Sequence, residues 1–89
     1  MNMRPLFQEV LHLYTDGKER SRQMVQDELR DTYGSFKAFK DKQMDEALHT
    51  AMSNGLIAES RYELDENGDL IMYYQSDQDM IDLINKYIK

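Results

Sequence analysis

The spacing of apolar side chains changes at Asn54-Gly55, and no single class of secondary structure satisfies both sides of that point. Upstream, apolar residues recur at the 3.6-residue period of helices; downstream they alternate with a period of 2, as on a strand. All-helical and all-strand folds are therefore excluded, and the expected class is α+β. At 89 residues, 40% hydrophobic and 31% charged, the chain has material for one core and one domain, residues 1–89.

Upstream of the switch the stripes predict three helices. The first spans about 5–15, with Pro5 at its start, Leu6, Phe7, Val10, Leu11 and Tyr14 on one face, and Asp16-Gly17 as its stop. The second spans 21–33, capped by Ser21, with Met24, Val25, Leu29 and Tyr33 inward and Gly34 as terminator. A basic-aromatic link, 35–40, leads to the third helix, 41–54. There Met44, Ala47, Leu48, Ala51 and Met52 match the helical template without a miss, and Leu56 is placed for a hydrophobic contact beyond the Gly55 cap.

Downstream the pattern predicts a hairpin over 56–75 with the even positions Leu56, Ala58, Ser60, Tyr62 and Leu64 facing the core. Asn67-Gly68 suits a tight turn. A three-residue loop pairs Leu64 with Leu70 and Tyr62 with Met72, whereas a two-residue loop pairs Leu64 with Ile71 and Tyr62 with Tyr73. Either register leaves apolar side chains on both faces, a surplus for a small antiparallel hairpin. A fourth helix, 77–88, offers a cover: Ser76 and Asp77 cap it, Asp79 and the pair Lys86 and Lys89 suit its dipole, and Met80, Ile81, Ile84, Tyr87 and Ile88 form its stripe. Docking on its own domain is the expected arrangement, pairing with a second copy the alternative.

Zero cysteines exclude disulfides, thiolate catalysis and cysteine-bound zinc. No apolar run approaches the ~18 residues of a membrane span, and the opening MNMRPLFQEV lacks a secretory leader, so a cytoplasmic location without membrane contact is expected. Charge is split. Residues 1–42 hold eight Lys or Arg against seven Asp or Glu, while 43–89 hold three against ten, so the net charge of −6 sits in the second half.

The order helix, helix, helix, hairpin resembles the winged-helix form of the helix-turn-helix domain. The resemblance rests on Ser21 to Tyr33, on Met44-x-x-Ala47-Leu48-x-x-Ala51-Met52 with its exit Asn54-Gly55-Leu56-Ile57, and on Arg61 to Tyr74 as the wing, with Arg20-Ser21 in the place of a short first strand. The opening Gly17-Lys18-x-x-Ser21 is loosely similar to the winged-helix region that precedes Mrr-type restriction nucleases, without the nuclease. The fold hosts DNA readers and protein-binding modules alike. In the DNA-binding members the third helix enters the major groove and the wing touches the backbone. The resemblance carries that role onto Arg20, Arg22, Lys37, Lys40, Lys42, Gln43, His49, Thr50 and Arg61.

Against DNA stand Asp45 and Glu46 on the third helix and Glu63, Asp65, Glu66 and Asp69 on the wing, all of which repel phosphate. Phe36 and Phe39, between the lysines of the link, read as core plugs rather than base-stacking platforms. The reading taken is a non-catalytic regulatory module for a protein partner, met through Asp45, Glu46, Glu63, Ile71, Tyr73, Met80, Ile84 and Tyr87. The alternative is a DNA-binding transcriptional regulator that dimerises through the fourth helix. Enzyme chemistry finds no candidate. Asp65-x-Asn67-x-Asp69 places its glycine and twelfth residue wrongly for calcium. His12 and His49 lie on different helices without ligand partners at metal spacing, so no metal or cofactor is expected.

Overall fold

The structure, a computed structural model, describes residues 5–33 and 41–88, with the backbone alone for 31–33. The readings placed on the Tyr33 side chain, Gly34, Phe36, Lys37, Phe39, Lys40 and Lys89 lie outside the described residues. Among these residues the order is α1 (Leu6–Leu13), β1 (Arg20–Ser21), α2 (Arg22–Tyr33), α3 (Asp41–Ser53), β2 (Ala58–Leu64), β3 (Leu70–Gln75) and α4 (Gln78–Tyr87). The three strands form one antiparallel sheet in the order β1-β3-β2. This is a mixed α+β fold.

Each element starts and stops for a local reason. Pro5 lends its carbonyl to the amides of Gln8 and Glu9 at the head of α1. The α1 stripe continues as a 3-10 turn, Tyr14–Asp16, rather than as α-helix. Ser21 caps α2, its Oγ accepting from the Met24 amide at 3.3 Å. At the end of α3, Gly55 takes φ +72°, and the amides of Gly55 and Leu56 donate back to the carbonyls of Met52 and Ala51, the paired bonds of a Schellman cap. Asp77 caps α4 by accepting from the Met80 amide at 2.9 Å.

The core lies between α1, α2, α3 and the first turn of chain after α3. Val10, Leu11 and Tyr14 meet Val25 and Leu29 of α2 and Met44, Ala47, Leu48 and Ala51 of α3, with Leu56, Ile57 and Ile84 closing the set. Burying each large apolar side chain favours this arrangement by roughly 1.5–3 kcal/mol. Ser76, 3% exposed, ties the sheet to the α3 exit by donating from Oγ to the Leu56 carbonyl at 2.7 Å.

The hairpin takes the register of the three-residue loop, Leu64 opposite Leu70 and Tyr62 opposite Met72. Asp65 organises the turn: its Oδ1 accepts from the amides of Asn67 and Asp69, while Gly68 takes φ +81°. Two expectations fail here. First, the pairing shifts between Glu59 and Arg61, leaving Ser60 as an extra residue, a β-bulge. Glu59 pairs with Tyr74 and Tyr62 with Met72, so Glu59 shares a face with Tyr62 while Ala58 falls on the other. Second, the even positions past the bulge do not enter the core. Tyr62, Leu64 and Leu70 are 64%, 65% and 59% exposed, because no described element packs over the outer part of the hairpin.

Candidate functional site

Arg20 was expected to face a phosphate backbone; it is buried instead, at 7% exposure. Its placement on β1 turns the guanidinium inward between the 3-10 turn and α2. Nε donates to Glu28 at 2.7 Å, Nη2 to Asp16 at 2.7 Å and Nη1 to the Leu13 carbonyl at 2.7 Å. The Tyr14 hydroxyl donates to the Arg20 carbonyl at 2.9 Å, and the guanidinium lies 5.8 Å from the centre of the Tyr14 ring. The hydrogen bond from Arg20 holds the Asp16 carboxyl down at about 2, and burial pushes the Tyr14 hydroxyl well above its ordinary value. A charge so enclosed has no donor left for a polyanion.

The other described arginines are engaged as well. Arg22 meets Asp45 at 3.2 Å and Asp41 at 3.9 Å, so a residue expected to meet DNA is paired with one expected to meet protein. Arg30 pairs with Asp27 at 3.0 Å. Arg61 binds Glu19 at 2.7 Å and Glu63 at 2.9 Å and stacks 4.0 Å over the Tyr73 ring, whose hydroxyl donates to Glu63. That layer of charge explains why Tyr73 and Ile71, expected to be open, are half-buried.

On α3, Lys42, Asp45, Glu46, His49 and Thr50 are exposed along its outer side. Gln43 is half-buried, and its enclosed Oε1 has no hydrogen-bond partner among the described residues. Expected partner-surface residues divide. Ile84 is a correction: at 0% exposure it belongs to the core, since α4 folds back onto α1 and the turn after it. Met80 is half-buried, and Tyr87, 54% exposed, packs edge-on against Phe7 with ring centres 5.6 Å apart.

Among the described residues, two concavities lie beside exposed apolar side chains. One, about 640 Å³, lies where β1 ends and α2 begins, bounded by residues 21–24, Asp45, β3 from Leu70 to Tyr74, and the turn acids Asp65 and Asp69. The other, about 400 Å³, is shaped by Asn54, Leu56, Leu83, Lys86 and Tyr87. Tyr62, Leu64 and Leu70, with Met24 at 41% exposure, are the large apolar residues most exposed around the hairpin. Periodicity placed Met24 on the inner face of the second helix, and Tyr62 and Leu64 in the core; all three are corrected by these exposures. The signal that could have found the hairpin residues was the surplus of apolar residues on both hairpin faces.

No three His, Asp or Glu side chains among the described residues converge as a metal site, and no described helix is long and apolar enough to cross a membrane. No protein-family model, curated protein or solved structure matches the chain.

Proposed function

We propose that this chain is a non-catalytic winged-helix module that binds a protein partner through the apolar face of its hairpin. The observation that carries the reading is that face itself: Tyr62, Leu64 and Leu70 stand about 60% exposed beside an acidic turn. Apolar surface held out in water on a projecting element is disfavoured unless a partner covers it. The electrostatics agree. Each described arginine is matched by a carboxylate, so α2 and the hairpin offer little to neutralise phosphates. Acids at the turn, Asp65, Glu66 and Asp69, favour a partner carrying Lys or Arg.

The DNA reading keeps one supporting observation, the exposed Lys42, His49 and Thr50 on α3. An amide NMR titration with mixed-sequence duplex at low salt separates the two. The expected result is no salt-sensitive shift at Arg22, Met24 or along residues 42–50; a cluster of such shifts transfers the assignment to DNA. In parallel, selection of random peptides on the immobilised chain is expected to enrich sequences combining Lys or Arg with apolar residues. The double variant Leu64→Ser, Leu70→Ser is expected to lose that enrichment.

A further inference from the structure

The larger concavity coincides with an interrupted sheet edge. β1 pairs with β3 only at Arg20 opposite Tyr74 and Ser21 opposite Tyr73. After Ser21 the chain turns into α2, so on that side the backbone of residues 70–72 has no strand partner among the described residues, although on the other side it pairs with β2. An unpaired edge is a template for another strand, and folded proteins usually blunt it with bulges, charge or proline. The opposite edge, β2, is blunted in this way: it carries the Ser60 bulge and the charges Glu59, Arg61 and Glu63. Residues 70–72, Leu-Ile-Met, carry none of these.

Resting on the protein-binding reading above, we infer that an extended, basic-apolar segment of the partner adds to the edge of β3 at residues 70–72, continuing the line that β1 abandons at Ser21. The three-residue edge is about 10 Å long at the rise of an antiparallel strand, enough for a short segment. Met24 and Leu70 offer exposed apolar contacts beside it. The charge is complementary to such a segment. Asp45, Asp65 and Asp69 bound the concavity, and the one cation lining it among the described residues, Arg22, is already held by Asp45 and Asp41. Backbone hydrogen bonds then supply affinity, and the acids select for Lys or Arg.

The test uses the isotope-labelled full chain and a synthetic heptapeptide alternating lysine with valine. Strand addition predicts shifts at residues 22–24 and 70–72, slowed amide exchange within 70–72, and loss of binding when glutamate replaces lysine in the peptide. Two further peptides carry N-methyl groups on alternate residues, one set for each side of the strand. Blocking the side that faces β3 is expected to weaken binding about tenfold, and blocking the other to leave it unchanged. Equal binding by both methylated peptides overturns strand addition while the protein-binding reading stands. Absence of binding at millimolar peptide, or shifts confined to Leu83 and Tyr87, also overturns it. Duplex DNA that shifts residues 42–50 removes the reading beneath it.

Discussion

Arg20 ties the end of α1 and the 3-10 turn that continues it to the middle of α2. Replacing it by methionine keeps most of the packing but strands the Leu13 carbonyl and two carboxylates. Those carboxylates are 39% exposed and regain water, so the loss is smaller than for a fully buried pair, about 2 kcal/mol, or roughly 10 °C in Tm by calorimetry. Asp16 adds a pH dependence. Its pKa in the fold, about 2, lies below the ordinary carboxylate value near 4, so the stabilisation is complete above pH 4 and is lost as pH falls through 2. The urea midpoints of the native chain and Asp16→Asn are therefore expected to differ most above pH 4 and to converge toward pH 2. None of this was legible beforehand. Asp16 and Glu28 lie four and eight positions from Arg20, and only the turn inward at β1 makes them its neighbours.

At the scale of elements, periodicity says which residues share a face; it does not say whether anything lies opposite. The α3 stripe was readable to the residue because Met44, Ala47, Leu48 and Ala51 face a core that the other helices also point into. The alternation and the Asn67-Gly68 turn allowed two registers, and the structure takes the one in which Asp65 and Gly68 close a three-residue loop. Two things did not follow: the bulge at Ser60, which local propensity does not announce, and the exposure of the hairpin beyond it. Substitution should separate the two environments. Ile84→Ala, in the core, is expected to cost about 2–4 kcal/mol in urea denaturation, whereas Leu64→Ser, at 65% exposure, should stay within about 0.5 kcal/mol of the native chain. Removing the α4 cap with Asp77→Ala is expected to cost about 1 kcal/mol by the same measurement.

For the molecule as a whole, α4 consumes much of its apolar stripe within the chain, through Ile84 in the core and Tyr87 against Phe7. The large apolar residues that helix leaves exposed, Leu83 at 47% and Tyr87 at 54%, make a small patch beside the roughly 1,200 Å² that a stable interface buries, and light scattering is expected to give the mass of a single chain, 10.6 kDa. A species of twice that mass would restore the dimeric regulator. The acidic second half keeps the surface soluble while the hairpin holds its apolar face outward.

The pairing of Arg20 with Tyr74 also orders events at the ribosome. The arginine that organises the amino-terminal half sits on a strand whose neighbour, at Tyr74, is synthesised after all three of α1, α2 and α3, so those helices leave the exit tunnel before their sheet can exist. Until residue 74 emerges, Arg20 and Ser21 have a side-chain clamp and a helix cap but no ladder, and closing that long loop is an entropic step the nascent chain takes late. A chain stalled before β3 would hold a helical cluster, and the emergence of β3 would complete the sheet and expose its open edge together.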